Sequence, residues 1–158
     1  MPQYASQTTV PVERSRAEIM GVLDRYGCDG ISTHQTQEAW GIEFYVHNRK
    51  VRFAVEHPDK SDRKYSETPS GRRKRNTESK NKAWEQDLRQ IYRALCLIIK
   101  AKLEYVESGH AIFEREFMAN IVDPVTGKTM GEVVQPLIAD RYEGADNCPA
   151  LFLPGPSE

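Results

Sequence analysis

Ala39–His47 alternates apolar and polar side chains without a break, and the alternation resumes over Val51–Glu56 after the short stretch His47-Asn48-Arg49-Lys50. Two period-two runs joined by so short a connection pair with each other as an antiparallel hairpin, and Asn48 suits the positive φ that a tight hairpin turn requires. The pairing puts Trp40, Ile42, Phe44, Val46, Val51, Phe53 and Val55 on one face. Gly41, Glu43, Tyr45, Arg52, Ala54 and Glu56 fall on the other. A sheet with one apolar face leaves its second face wet and needs helices over the first. Gly30–Gln35 supplies a third, shorter strand, and Pro58 ends the meander. Paired numbers summing to about 97 set His57 opposite Trp40, far from His47 at the turn.

The flanking segments read as the required helices. Ser15-Arg16-Ala17-Glu18 has the form of a capping box and opens a helix over about Arg16–Tyr26, with Gly27 as its C-terminal glycine. A long helix runs from about Lys82 to Glu107, and Trp84, Leu88, Ile91, Leu95, Ile98 and Tyr105 mark its apolar stripe. Apolar neighbours around Ala94–Ile99 widen that stripe, which fits either core burial or a homodimer interface. His110–Val122 reads as an amphipathic helix. Thr129-Met-Gly-Glu132 is a second capping box before a helix through Val133, Val134, Leu137, Ile138 and Tyr142, with Pro136 in its early turns. The expected architecture is α+β: an N-terminal helix, a three-stranded antiparallel meander, a long helix and two shorter helices. At 158 residues this is one domain, with a polar arm at residues 1–14 and an extended apolar tail at 147–158.

Charge is distributed unevenly. The formal net charge is −1, yet residues 49–83 carry 12 cations and 5 anions, while the segments on either side are net acidic. Residues 59–81 lack apolar periodicity and read as a basic loop of about 20 residues, longer than a compact domain holds without a reason. Arg63, Lys64, Arg72, Arg73, Lys74, Arg75 and Lys80 in the loop, with Arg49, Lys50 and Arg52 on the hairpin, are the candidate phosphate contacts. Tyr65 and Trp84 are candidate stacking partners for bases. One surface formed by all of them would bind nucleic acid, DNA or RNA. Acidic residues between the cations equally fit a solvated loop, and an acidic protein partner is a further reading.

Catalytic and metal signatures are missing. The sequence contains no GxSxG, GxxxxGK[ST] or GxGxxG, and Glu114 and Glu116 diverge on a helix. His34, His47, His57 and His110 lack ligand spacing, and Cys28, Cys96 and Cys148 form no CxxC pair. The expectation is a protein without cofactor, metal or catalysis, residing in a reducing cytoplasm. No apolar run approaches a membrane span.

The segments ERSRAEIMGVLDRYG, VRFAVEHPD followed by TPSGRRKR, and WEQDLRQIYRALCLIIKAKLEYVESG resemble a family of small proteins encoded by tailed phages and prophages. The resemblance extends from about Val10 to the C-terminus. It implies a context rather than an activity: a phage accessory protein in the bacterial cytoplasm. Proteins of that kind serve phage DNA metabolism or counter host defence, for example by binding and inhibiting a host immune nuclease complex.

Overall fold

A computed structural model describes residues 5, 7–67 and 74–143. Helix α1 (Val12–Arg25) is followed by strands β1 (Asp29–Gln35), β2 (Ala39–Val46) and β3 (Arg49–Glu56). A one-turn helix α2 (Arg63–Ser66), the long helix α3 (Thr77–Glu107), a one-turn helix α4 (Phe113–Glu116) and helix α5 (Met130–Glu143) complete the order. The three strands form one antiparallel sheet in the order β1-β2-β3. The fold is α+β, as the alternating hairpin and its flanking helical patterns require.

The hairpin turn is tighter than the sequence reading has it. His47 and Asn48 both take positive φ, 47° and 62°, and form a two-residue turn of the mirror-image type that matches strand twist. Pairing therefore runs Val46↔Arg49 to Ala39↔Glu56, two residues off the expected sum, and Val55 rather than His57 lies opposite Trp40. The faces are unchanged, because a shift of two preserves side-chain alternation. Trp40, Ile42, Phe44, Val51 and Phe53 are buried together with Ile19, Val22 and Leu23 of α1.

Helix α1 begins at Val12, with Pro11 in extended conformation as its cap, so Ser15 sits inside the helix and is fully buried. The expected capping box does not form. Glu18 instead accepts from Arg93 Nη1 at 2.6 Å, tying α1 to α3. Its C-terminal end is as expected. Gly27 at φ 66° lets Gly27 N–H reach Asp24 O and Cys28 N–H reach Leu23 O, both at 3.0 Å, a Schellman closure.

Helix α3 starts five residues earlier than expected, with the Asn76 side chain accepting from Ser79 N–H. Its buried stripe is Tyr92, Leu95, Cys96, Ile99 and Leu103, whereas Ile98 and Tyr105 are each 50% exposed. A helix apolar nearly all round admits two stripes, and burial of Tyr92 selects one: its phenol is satisfied by Arg16 and His57. The expected helix over His110–Val122 is cut short. After α4 and a 3-10 turn at Met118–Asn120, Ile121 bridges Val51 and Val122 N–H donates to Lys50 O at 2.8 Å. The free edge of β3 outcompetes helical continuation there, since it offers unpaired backbone groups. The Thr129–Glu132 capping box forms as read: Glu132 N–H donates to Thr129 Oγ1 at 3.2 Å, and Thr129 N–H to the Glu132 carboxylate at 2.6 Å. Among the described residues no helix is long and apolar enough to cross a membrane. The apolar tail at 147–158 lies outside the described residues.

Candidate nucleic-acid interface

The candidate cations among the described residues separate into two poles. Strand β3 starts beside α4, where the His47 and Phe113 rings lie 5.2 Å apart. It ends where His57 meets Tyr92, about midway along α3. Eight extended residues cover roughly 25 Å, which sets Arg49 and Lys50, with Arg52 held beside Lys50 on Glu43, apart from the described residues of the loop that follows Pro58. The single surface expected from sequence is thereby divided, because the strand itself carries the chain from one end of the domain to the other.

At the hairpin pole the side chains converge. Tyr45, Arg49, Lys50 and Arg52 line a cleft of about 660 Å³ against the segment Ile121–Pro124, Gly127 and Met130. Glu43 organises it: its carboxylate takes Lys50 Nζ at 2.7 Å and Arg52 Nε at 2.6 Å. The Lys50 hydrogen bond holds the Glu43 carboxyl below its ordinary range against the opposing effect of burial, with Arg52 adding to the depression. Arg52 Nη1 also donates to Gly127 O at 2.9 Å, which locks the far wall to the sheet. Arg49 is half-exposed and reaches Glu114 only at 3.8 Å. The result is a mixed surface in which Lys50 and Arg52 are oriented side by side and Arg49 stands at the mouth.

Tyr45 completes the cleft. It is 45% exposed on the open face of the sheet. A Cβ at Gly30 would stand 2.9 Å from Tyr45 Cδ2, so the glycine allows the ring to lie across β1. Gly30 also has φ 56°, at the register irregularity between Asp29 and Ser32. Gly30→Ala is therefore expected to cost ~1–3 kcal/mol through backbone strain and to displace the ring. Chemical denaturation and Tyr45 ring resonances would read both effects. An unchanged midpoint would mean that the bulge relaxes freely. Tyr45 is absent from the sequence-derived candidates, and only its partnership with a glycine on a neighbouring strand singles it out.

At the loop pole two of the described candidate cations are paired. Arg63 pairs with Glu67 at 2.9 Å, and Lys64 with Asp87 at 2.9 Å. Hydrogen bonds to Tyr65 and Asp87 push the Lys64 ammonium well up. Tyr65 is 1% exposed and donates its hydroxyl to Asp87 at 2.6 Å. It offers no face to a base, so its expected stacking role is corrected to that of a core residue seating α2 on α3. Trp84 donates to Pro58 O at 2.7 Å, and Lys60 Nζ lies 3.9 Å from its ring centroid. Residues 59–81 are not the continuous loop expected: α2 and the first turn of α3 occupy part of them, and Glu67 and Lys74 form an antiparallel bridge. Arg72 and Arg73 lie outside the described residues. Lys74 and Arg75 flank them, with Arg75 N–H donating to Ser66 O at 2.8 Å, and Lys80 lies in the first turn of α3.

A second cavity, about 990 Å³, lies at the end of the sheet away from the hairpin turn, among Arg16, His57, Trp84 and Tyr92. Arg16 Nη2 donates to Tyr92 Oη at 2.6 Å, and Tyr92 Oη lies 2.8 Å from His57 Nε2. His57 Nδ1 faces Gln37 O at 2.9 Å. A carbonyl only accepts, so Nδ1 carries the proton and Nε2 of the neutral ring accepts from the phenol. The chain of bonds ties α1, β3 and α3 together. Its members are 35 and 76 residues apart in sequence, a separation no local pattern reveals. Among the described residues no group of His, Cys, Asp and Glu is placed to hold a metal ion.

Neither a family model, a curated protein nor a solved structure matches this chain.

Proposed function

We propose that this protein binds nucleic acid without catalysis, using the hairpin cleft as its described contact surface. The observation that carries the reading is the convergence of Arg49, Lys50 and Arg52 with the half-exposed ring of Tyr45 around one cleft. Cations that neutralise phosphates release condensed counterions, and an aromatic face accepts a base of any sequence. The pairing of Lys50 and Arg52 with Glu43 limits the number of phosphates engaged, so modest affinity with a shallow salt slope is expected. Lys74, Arg75 and Lys80 at the other pole are a second point of contact for a strand long enough to reach both. The resemblance to phage accessory proteins supports a role in phage DNA metabolism within a bacterial cytoplasm.

The test is fluorescence anisotropy of labelled single- and double-stranded DNA and RNA over a range of salt. Arg49→Ala/Lys50→Ala/Arg52→Ala is expected to weaken binding about 10-fold or more at low salt and to reduce the log–log salt slope by about 1–2. Arg63→Ala, whose partner is a local glutamate, should change little. Absence of binding to every probe at low salt overturns the reading.

A protein partner is the second reading, favoured by α5. None of its residues is buried, and Leu137, Ile138 and Tyr142 are 55%, 51% and 67% exposed. In the phage context such a partner would be a host immune complex, inhibited by occupation rather than chemistry. Loss of nucleic-acid binding with retention of a partner on α5 would select it.

A further inference from the structure

Trp84, Leu88 and Tyr92 recur at steps of four on α3, so one side of the helix lines the cavity at the far end of the sheet. The Trp84 indole is fixed by its bond to Pro58 O. Over its face lies the exposed side chain of Lys60, which has no carboxylate partner among the described residues. From α1, Arg16 lies over the rings of Trp40 and Tyr92, its Cζ 5.2 and 4.7 Å from their centroids. Its two terminal nitrogens donate one N–H each, to Gln35 Oε1 at 3.0 Å and to Tyr92 Oη at 2.6 Å. Each keeps a second N–H, and Nε is buried without a partner. Among the described residues no carboxylate pairs with this guanidinium.

The other charges around the cavity set the charge of its ligand. Glu13, Glu38, Glu56 and Asp59 line it, so carboxylates outnumber the cations Arg16 and Lys60. Asp59 is turned into its own loop by Ser61 N–H and Oγ, at 2.8 and 2.6 Å. Glu13, Glu38 and Glu56 are exposed and hold no ion pair among the described residues. Such a surround repels a phosphate, while Arg16 repels a simple cation. An uncharged ring with both acceptors and donors suits it, and Trp84 supplies a stacking face.

We infer that this cavity binds a nucleobase, and guanine in preference to the other bases. Guanine presents N7 and O6 as adjacent acceptors, the pair that an arginine fork fits. On another edge it presents N1–H and the N2 amino group as adjacent donors, which a carboxylate accepts. No other base offers both. The ring takes the place of Lys60 on the Trp84 face. A free nucleoside and an unpaired base in a strand present the same chemistry. The inference uses none of the cations of the hairpin cleft.

The test is an NMR titration of the full chain, read at the Trp84 indole N–H resonance, with guanosine, adenosine, cytidine, uridine and inorganic phosphate. A saturable shift is expected, strongest with guanosine and absent with phosphate. Glu13→Gln/Glu38→Gln/Glu56→Gln should keep the fold, since all three side chains are exposed, and weaken guanosine binding about 10-fold. Lys60→Ala should leave guanosine affinity unchanged or raise it, because it uncovers the indole. An anion site would respond in the opposite sense to both variants. A short single strand with one guanine, compared with the same strand abasic at that position, identifies the source. A shift only with the base present assigns the site to a strand, and none assigns it to the free nucleoside. Arg49→Ala/Lys50→Ala/Arg52→Ala should bind guanosine like the wild type, so failure of the hairpin reading is seen separately. Four results would each overturn the proposal: no shift with any nucleoside, equal affinity for all four, a stronger response to phosphate, or guanosine affinity unchanged in the glutamine variant.

Discussion

Phe117→Ala should lower the unfolding free energy by ~3–5 kcal/mol, the range for emptying a buried aromatic site. The ring is fully buried. It stacks on Phe113 at 4.8 Å between centroids and meets Phe53 edge-on at 6.3 Å. Lys102 Nζ lies 5.5 Å from its centroid and also donates to Glu116 O. Phe117 therefore fixes the segment that pairs Ile121 and Val122 with the edge of β3 and brings Gly127 to Arg52. Loss of the ring should loosen one wall of the hairpin cleft as well as the core. Urea denaturation reads the stability, with Met118→Ala as the control. Met118 is 55% exposed, so its truncation should stay within about 0.5 kcal/mol. Equal midpoints for the two variants would mean that Phe117 does not anchor this segment.

The sheet was legible because alternation over β2 and β3 is a long-range constraint written locally. Fixing the faces required only the parity of positions, and parity survived a two-residue error in register. The turn was misplaced because Asn48 alone was expected at positive φ, whereas His47 also takes it, at φ 47°, and occupies the first turn position. Helix α3 shows the opposite case. Its existence was plain, but its buried side was not, since Ala94–Ile99 is apolar on most sides. Only the contacts made by Tyr92 with Arg16 and His57 distinguish the core stripe from the outer one. The segment after Phe117 was misread for a related reason: helical periodicity persists through Ile121, yet the open edge of β3 supplies a better set of backbone partners.

For the candidate site, sequence proximity was a poor guide to spatial proximity. Arg52 and Arg63 are eleven positions apart, but most of that interval is used in traversing the sheet and turning at Pro58. Lys64 and Tyr65 looked like a cation beside a stacking ring; they are instead partners of Asp87, one exposed and one buried. Burial pulls the Asp87 carboxyl up, and the hydrogen bonds from Tyr65 and Lys64 outweigh it and hold the group below its ordinary range. Charge counts along a chain report composition, whereas a binding surface depends on which carboxylates fold against which cations. Glu43 illustrates the constructive side of this: by pairing with two cations at once it aims them at one cleft.

The network at the other end of the sheet yields the second large effect. Tyr92→Phe should destabilise the protein by ~1–3 kcal/mol, because Arg16 Nη2 and His57 Nε2 both lose the oxygen between them while the ring volume is kept. His57→Ala should cost less in the Tyr92→Phe background than in the wild type, a non-additivity of about 0.5 kcal/mol or more for groups in one network. The pH dependence adds an independent readout. Burial pushes the Tyr92 phenol above its ordinary value, against the hydrogen bond from Arg16. The native state thus holds this proton more tightly than the unfolded chain does. The corresponding stability is fully present below the unfolded tyrosine pKa of about 10 and is lost as pH rises through the higher native value. The difference between wild type and Tyr92→Phe should therefore shrink above about pH 10, while Tyr65, also raised chiefly by burial, titrates in both proteins and cancels. Denaturation curves from about pH 8 to about pH 11 decide the matter, since a difference that stays constant would mean that the phenol ionises as easily in the native state as in the unfolded chain.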